Sequence, residues 1–387
     1  MSMIYSLLSH SWGGLVIAAL VAGVGLLLAR VGRWRIVRWV GFAVCALALL
    51  LAAGSVVAIV RIARANRAYP PPGRLVDVGG QRMHIWAEGD ARGGPTVIWI
   101  PGGHSQGLGL YHLHKAMRGE TRSILFDRFG TGWSDAGPFP RSTAREAEEL
   151  NTLLDNAGEK GPFILAGHSY GGLLAANFAR RHPDKTAALV LLDPTPPDAF
   201  VYAPVFGMAA AKGLILAGQL GGLQKLFGFQ PDSNRGAAAD PELAKLLKQI
   251  DDSRADVREM MDSRNASPAQ DFALASIFNE WFDPASPPQF MVYDGELGEM
   301  PVYLVTPQGD TEPQIRRMRL SDAETKRAIN FFQRARVRYL ATSSKSEHIV
   351  TPAGTGHNYP YEVPQFLIET MRHVLAKSRA PQTAAAK

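Results

Sequence analysis

The sequence is poor in cysteine, and its first 74 residues contain no acidic residue. Cys45 is the single cysteine among 387 residues, which excludes a disulfide framework and any zinc or iron–sulfur site built on several cysteines. Residues 1–74 hold eight arginines but no lysine, aspartate or glutamate. Since the whole chain has a formal net charge of +6, the rest of the chain carries −2. The basic excess is confined to the N-terminal region, and nucleic-acid binding is not expected.

Two stretches of that region lack charge altogether, at residues 12–29 and 39–60. At about 1.5 Å per residue, a helix of either length approaches or spans the roughly 30 Å hydrocarbon core of a bilayer. A cleaved signal peptide would need a basic residue before its apolar segment, and none precedes Arg30. Residues 1–67 are therefore predicted to form a transmembrane hairpin, which makes the chain a multi-pass membrane protein whose two helices contact the lipid bilayer.

The arginines predict an orientation for this hairpin. Four of them lie in the segment 30–38 between the predicted helices, whereas the tail before residue 12 has none. Basic loops favour the cytoplasm. The charge difference across the first helix therefore predicts that the segment 30–38 is cytoplasmic and that the domain after the second helix lies outside the cytoplasm. The segment 61–74 again holds four arginines, and the second helix therefore favours neither direction. Residues 68–73, Ala-Tyr-Pro-Pro-Pro-Gly, cannot continue a helix and are predicted to be a stiff linker.

Beyond the linker, short apolar runs alternate with helical patterns. Residues 75–78 and 83–87 are predicted to form a β-hairpin around Gly79-Gly80. Five further runs are typical of strands buried on both faces: 96–100, 123–126, 163–166, 189–192 and 302–305. This alternation predicts an α/β domain over residues 74–380, with a mainly parallel sheet flanked by helices. Residues 194–300 lack strong strand signals and contain a long apolar stretch, 203–229. They are predicted to form an inserted helical cap.

One of these strands leads into a tight glycine-rich turn. The run 163–172 reads Phe-Ile-Leu-Ala-Gly-His-Ser-Tyr-Gly-Gly, with Ser169 between Gly167 and Gly171. It resembles the nucleophile elbow of the α/β-hydrolase superfamily, in which strand, Gly-x-Ser-x-Gly and helix follow in this order. The resemblance implies the α/β-hydrolase fold and a catalytic serine at Ser169.

Two upstream segments extend the resemblance. Residues 126–135, Phe-Asp-Arg-Phe-Gly-Thr-Gly-Trp-Ser-Asp, are similar to a structural Asp-x-x-Gly-x-Gly-x-Ser segment of the superfamily. Residues 100–105, Ile-Pro-Gly-Gly-His-Ser, occupy the place of its oxyanion loop, with Pro101 where His is usual. The resemblance implies an oxyanion hole formed by the N–H of Tyr170 and a second donor, Gly103 or alternatively His104.

The last part of the resemblance is the chain order Ser, acid, His. Residues 354–358, Gly-Thr-Gly-His-Asn, look like the family's histidine loop after the last strand, which implies His357 as the general base. Asp310 follows the strand 302–305 and resembles the family acid, although Pro307 replaces a customary Gly. Asp193 is the alternative acid, since a few members take it from the earlier strand.

Together these residues imply a membrane-anchored serine hydrolase that cleaves a carboxylic ester of a small hydrophobic molecule through an acyl-enzyme. No cofactor is expected, and no metal site either, because His112 and His114 diverge on a helix and have no carboxylate or cysteine cluster beside them. Ser169 argues against the dehalogenase and epoxide-hydrolase branches, which use Asp as nucleophile. Amidase, carbon–carbon bond hydrolase and cofactor-free haloperoxidase chemistry stay open, as does a non-catalytic membrane-anchored ligand receptor.

Overall fold

The computed structural model describes residues 2–103, 105–197, 204–229, 255–280, 292–308 and 321–379. Two of the residues proposed above for the site, His104 and Asp310, lie outside these ranges. The central element is one eight-stranded sheet in the order β1-β2-β4-β3-β5-β6-β7-β8. Its strands are β1 (Arg74–Asp77), β2 (Arg82–Glu88), β3 (Thr96–Ile100), β4 (Ser123–Phe126), β5 (Phe163–His168), β6 (Thr186–Leu192), β7 (Val302–Thr306) and β8 (Ser346–Val350).

The strand directions confirm the predicted mainly parallel sheet. β1 and β2 form an antiparallel hairpin in which Asp77 pairs with Arg82, and β2 pairs antiparallel with β4. All later neighbours, from β4 across to β8, run parallel. The carboxyl ends of six strands therefore lie along one edge, which is where open parallel sheets place their ligands.

Twelve α-helices occur among the described residues. They are α1 (Ser2–Ser9), α2 (Gly13–Val31), α3 (Arg35–Ala68), α4 (Tyr111–Met117), α5 (Thr143–Asn156), α6 (Tyr170–Arg181), α7 (Pro204–Leu226), α8 (Ala255–Arg264), α9 (Ala269–Glu280), α10 (Asp322–Val337), α11 (Tyr359–Glu362) and α12 (Pro364–Arg379). Three short 3₁₀ helices span Gly107–Leu110, Pro183–Lys185 and Arg338–Thr342.

The sheet is covered on both faces, which explains why its strands are almost wholly apolar. Ile98, Leu165 and Leu189 point to the face covered by α5 and α6. Their neighbours in sequence, Val97 and Ile164 among them, point to the opposite face, which α4 and α12 cover. The alternation follows from the two-residue period of a strand, and it produces the two separate core clusters.

The predicted hairpin is formed by α2 and α3, both long and apolar enough to cross a membrane. The helices pack through small residues. A Cβ added at Gly25 would lie 2.9 Å from the Cys45 nitrogen, and one at Gly41 would lie 2.5 Å from the Ala29 nitrogen. Such close backbone approach is the usual way in which helices associate in lipid, where apolar side chains have no reason to leave the tails. α3 is longer than the uncharged stretch 39–60 and continues to Ala68, towards the sheet domain.

The hairpin and the cap are in direct contact, although the sequence places a linker between hairpin and sheet. Tyr5 of α1 is 5% exposed and packs against Phe139 and Phe272, both at ring-centroid distances of 5.8 Å. Its hydroxyl accepts hydrogen bonds from Gln219 of α7, at 2.7 Å, and from Asn279 of α9, at 2.9 Å. The N-terminal helix is therefore part of the cap's own core.

Candidate active site

Ser169 lies at the apex of a strained turn between β5 and α6. Its φ and ψ are 55° and −121°, a backbone conformation that non-glycine residues rarely adopt. A Cβ added at Gly167 would come within 2.2 Å of the Gly171 carbonyl oxygen, and one at Gly171 within 2.2 Å of the Ile100 carbonyl oxygen. Both glycines are thus required by contact with backbone, as the elbow resemblance implies. The turn directs Ser169 to the carboxyl edge of the sheet, at the start of a helix.

His357 contacts the carboxylate of Asp193. The distance from His357 Nδ1 to Asp193 Oδ2 is 2.5 Å. His357 lies in the loop between β8 and α11, and Asp193 directly follows β6. In the sheet, His168 pairs with Leu192, so Ser169 and Asp193 are the next residues of two adjacent strands. Ser169 N–H donates to the Leu192 carbonyl at 3.0 Å, which fixes this register beyond the strands.

Asp193 is buried and has a second basic neighbour. Its side chain is fully buried, and Arg336 Nη1 of α10 lies 3.1 Å from Asp193 Oδ1. Burial disfavours the charged carboxylate, but the hydrogen bond and charge of His357, together with Arg336, outweigh it and hold the pKa of Asp193 below its usual range. Asp193 has a φ of 41°, so the backbone here is strained as it is at Ser169. The carboxylate is thus kept ionised beside the imidazole.

His168, the residue before the nucleophile, supports the histidine loop from below. Its Nε2 lies 2.9 Å from the His357 carbonyl oxygen, and the two rings have centroids 4.7 Å apart. Burial, followed by the charge of His357, lowers the pKa of His168 to about 4. A neutral imidazole has one N–H, so Nε2 is the donor to that carbonyl. His168 therefore positions the backbone of the general-base candidate.

The loop after β3 passes close to the nucleophile. A Cβ added at Gly102 would lie 3.5 Å from the Ser169 Cβ, and one at Gly103 would lie 3.5 Å from the Tyr170 Cβ. The Tyr170 N–H belongs to the first turn of α6, where a helix offers no carbonyl four residues earlier. The two N–H groups predicted to form an oxyanion hole thus belong to adjoining segments.

Arg128 holds this loop from the side away from solvent. Its Nη2 donates to the carbonyl oxygens of Gly102 and Gly103, both at 2.8 Å, and its side chain is 2% exposed. In a planar trans peptide the carbonyl and the following N–H point in opposite directions. Anchoring the Gly102 carbonyl on Arg128 therefore fixes the direction of the Gly103 N–H. The guanidinium also lies 4.9 Å from the Tyr170 ring centroid and 3.6 Å from Glu146 Oε2.

The cap helix α9 covers these groups. Ile277 packs with Tyr170 and Leu173 in a buried apolar cluster, and a Cβ added at Gly103 would lie 3.6 Å from Leu274 Cδ1. Two polar side chains bind α9 to the segment before α5. Ser276 Oγ accepts from the Arg141 N–H at 2.8 Å. Glu280 Oε2 accepts from Thr143 N–H and Oγ1–H at 2.9 and 3.0 Å. The roof over the nucleophile is therefore apolar and firmly attached.

Of the residues proposed from the sequence, the structure places Asp193 in contact with His357 and the loop of Gly103 beside Ser169 and Tyr170. Three further residues of the site had no assigned role, namely His168, Arg128 and Arg336. His168 is the variable residue inside the elbow motif, and Arg128 follows the Asp of the Asp-x-x-Gly segment. Their positions in these motifs could have indicated that both residues lie near the site. No sequence signal marked Arg336, because it is one of several basic residues of α10 and only the structure shows that it faces inward. Among the described residues, no group of three His, Cys, Asp or Glu side chains is placed to hold a metal ion.

Known proteins similar to this chain were compared by sequence and by structure. An uncharacterized Bacillus subtilis protein, YbdG, is 26% identical over 142 residues, which are 36% of this chain and 43% of YbdG. A bovine (lyso)-N-acylphosphatidylethanolamine lipase is 33% identical over 103 residues, which are 26% of this chain and 30% of the lipase. The chain thus spans less than half of the length of these relatives. An esterase structure from Thermogutta terrifontis covers 79% of this chain and 98% of its own, with 19% identity and a TM-score of 0.51, and shows the same fold.

The alpha/beta hydrolase family profile matches residues 97–370. That range begins in β3, contains the elbow, Asp193 and His357, and ends in α12. It covers well over half of the chain, and the sheet order and strand directions described above agree with it. The chain belongs to the alpha/beta hydrolase family.

Proposed function

We propose that this protein is a membrane-anchored serine hydrolase that cleaves a carboxylic ester of a hydrophobic substrate, with Ser169, His357 and Asp193 as its triad. The observation that carries the proposal is the 2.5 Å contact between His357 Nδ1 and Asp193 Oδ2, beside an elbow that presents Ser169. Asp193 takes the acid role here because it already occupies Nδ1 of His357. Asp310 lies outside the described residues.

In the proposed mechanism, Asp193 fixes the tautomer of His357 with the proton on Nδ1, which leaves Nε2 free to accept. Nε2 takes the Ser169 proton as Oγ attacks the ester carbonyl carbon. The resulting oxyanion accepts hydrogen bonds from Gly103 and Tyr170 N–H, each of which contributes about 3 kcal/mol to transition-state stabilisation in typical serine hydrolases. Collapse breaks the bond to the alkoxy group, which leaves as an alcohol with the proton from His357. Water, deprotonated by His357, then hydrolyses the acyl-enzyme to the acid and free Ser169.

The apolar roof supports the hydrophobic substrate class. Ile277 of α9 packs with Leu173 and Tyr170, which follow the nucleophile in α6, and Leu274 of α9 lies beside Gly103. A carbon-lined site gains free energy from burying an acyl chain, at about 25 cal/mol per Å² of apolar surface. The bovine relative is a lipase by name, and it is similar to about a quarter of this chain.

The membrane component of the proposal rests on α2 and α3. Both pass the length and composition test for a membrane span, and many of their apolar side chains are exposed, for example Leu26 and Leu49 at 64% and 73%. A soluble protein seldom leaves such a belt in water. The arginine-rich segment between them is proposed to face the cytoplasm, with the catalytic domain on the opposite side.

The test is labelling of the detergent-solubilised full-length protein with a fluorophosphonate probe, followed by hydrolysis of p-nitrophenyl esters of increasing chain length. Ser169→Ala should abolish labelling and turnover, whereas Ser344→Ala, an exposed serine away from the site, should leave both unchanged. If labelling persists in Ser169→Ala, Ser169 is not the nucleophile. Labelling without turnover of any ester would instead direct the search to amide or carbon–carbon bond substrates.

A further inference from the structure

A cavity of about 340 Å³ lies where the hairpin, the cap and the sheet domain meet. Ile62 and Asn66 of α3 form one wall, and Arg264, the last residue of α8, forms another. Trp133, from the loop after β4, completes it. The cavity is separate from the catalytic site, because none of its lining residues belongs to the triad or to the oxyanion loop.

Arg264 is a buried cation without an acidic partner. It is 7% exposed, its Nη1 donates to Asn66 Oδ1, its Nε lies 3.3 Å from Ser263 Oγ, and its guanidinium lies 5.4 Å from the Trp133 ring centroid. Among the described residues no carboxylate lies within ion-pair distance of it, and its buried Nη2 has no hydrogen-bond partner. A buried charge without an ion-pair partner destabilises a fold, so a native protein rarely retains one without a ligand or a counter-ion.

Two acidic side chains close to the cavity, Asp127 and Asp135, have other partners. Asp127 accepts from Gly107 N–H at 2.8 Å on one oxygen, and from His84 Nδ1 at 2.8 Å and Trp133 N–H at 3.1 Å on the other. Burial lowers the pKa of Arg264 even though the charge of Asp127 opposes this shift. At the rim, Asp135 lies 3.5 Å from Arg82, and the two charges of that pair cancel. Arg82, Arg264 and Asp135 are the charged residues among those that line the cavity, so the lining carries a net charge of +1.

The position of the cavity along α3 places it at the membrane surface. The uncharged stretch of α3 ends at Val60, and Ile62 and Asn66 lie two and six residues further. At about 1.5 Å per residue they are roughly 3 and 9 Å beyond that end. The headgroup layer of each leaflet is about 5–8 Å thick, so the cavity opens at headgroup depth when α3 spans the bilayer.

We infer that this cavity binds the phosphate of an anionic phospholipid from the adjacent leaflet, through Arg264, Asn66 and Ser267. A guanidinium matches phosphate geometry, and one uncompensated positive charge matches the single negative charge of a phosphatidylglycerol headgroup. The amide of Asn66 and the hydroxyl of Ser267 supply neutral hydrogen bonds beside it. This inference rests on the membrane anchoring in the proposed function and not on the hydrolytic reaction.

The experiment uses the full-length protein carrying Ser169→Ala, so that turnover cannot affect the result. It is reconstituted in nanodiscs of phosphatidylcholine, with or without phosphatidylglycerol, and Tm and the retained lipid are measured by thermal denaturation and native mass spectrometry. We expect phosphatidylglycerol to raise Tm and one molecule of it to stay bound. Arg264→Met should weaken that retention about tenfold or more and abolish the Tm rise. Arg67→Met, an exposed arginine of α3, is the matched control and should change neither.

Two further arms keep the test decisive. If Arg264→Met fails to fold, Ser267→Leu, which fills the cavity, should cause the same loss of retained lipid. Inorganic phosphate added to lipid-free protein in detergent distinguishes the source, since an equal Tm rise with phosphate alone would identify a site for a soluble anion and overturn the lipid assignment. Equal lipid retention by wild type, Arg264→Met and Ser267→Leu would also overturn it. Flotation with vesicles tests membrane anchoring separately. If the protein floats but its retention of phosphatidylglycerol does not depend on Arg264, the lipid site is contradicted and the membrane anchoring is not.

Discussion

The guanidinium of Arg336 lies 3.1 Å from Oδ1 of Asp193, so the carboxylate that contacts His357 is itself held by a basic group. Arg336 belongs to α10, which is far from Asp193 in the chain. Each oxygen of Asp193 thus faces one positively charged or protonated nitrogen, which orients the carboxylate in its buried position. This geometry makes the acid of the triad testable.

We expect Asp193→Asn to lower kcat by about 10⁴-fold, because an asparagine amide would stabilise the wrong tautomer of His357. Asp310→Asn is the matched control and should retain most of the activity. The measurement is kcat on a short p-nitrophenyl ester, with circular dichroism to establish that both variants are folded. Full activity in Asp193→Asn together with a large loss in Asp310→Asn would transfer the acid role to Asp310.

Arg336→Met should move the acid limb of the pH–rate profile to higher pH. The charge of Arg336 helps to hold the pKa of Asp193 low, so its removal raises that pKa, and the carboxylate becomes protonated earlier as the pH falls. We also expect kcat at neutral pH to fall about tenfold, since a buried carboxylate loses one partner. Arg334→Met, on an exposed turn of the same helix, should leave the profile unchanged. Superimposable profiles for Arg336→Met and wild type would contradict the positioning role.

Arg128→Lys should lower kcat about 10- to 100-fold with little change in KM. An ammonium cannot bind both loop carbonyls in the geometry of the planar guanidinium, so the Gly103 N–H loses its fixed direction, and this N–H acts in the transition state. The matched control is Arg122→Lys, which gives up the two-pronged contact of a guanidinium with Glu159 at a position outside the proposed site. A KM effect without a kcat effect would show that Arg128 serves substrate binding and not the oxyanion.

His168 should make stability depend on pH in the acid range. Unfolded His168 takes up a proton near its ordinary pKa of 6.5, whereas burial delays protonation in the folded protein to about pH 4. The unfolded state therefore binds more protons between these values, so the free energy of unfolding falls as pH falls from about 6.5 to 4 and is unaffected by this group above 6.5. His168→Gln keeps an N–H donor without the titration and should flatten this part of the profile. Identical slopes of Tm against pH in both proteins would rule out His168 as the source.

Tyr5→Ala should destabilise the cap, because the ring fills the apolar space beside Phe139 and Phe272. We expect a loss of about 3 kcal/mol in the free energy of unfolding and faster proteolysis within the cap. Tyr5→Phe removes only the hydroxyl that accepts from Gln219 and Asn279, and should cost less than half as much. If Tyr5→Ala leaves the cap fully protected, α1 contributes nothing to it.

The sequence by itself determined the features that have local causes. The uncharged stretches required two helices, because only helices satisfy their own backbone hydrogen bonds in lipid. Short apolar runs bounded by turn residues required buried strands, and the glycines around Ser169 required a tight elbow. These features depend on neighbours in the chain, and the described structure shows the two helices, the seven strands and the elbow close to the predicted bounds. The C-terminal end of α3 was the exception. The uncharged stretch predicts where the membrane span ends, but the helix itself continues past that point through a segment that contains arginines.

Tertiary structure decided which distant residues meet. The side chain that contacts His357 depends on which strand end lies beside the histidine loop, and strand order in a sheet is a matter of long-range pairing. Sequence motifs favoured Asp310, which lies outside the described residues, and the carboxylate that the described structure places against His357 is that of Asp193. The inward turn of Arg336, the carbonyl contacts of Arg128 and the unpaired Arg264 have the same origin. Each depends on packing between elements that are far apart in the chain. Only that packing determines whether a charged side chain is buried against other groups of the protein or exposed to solvent.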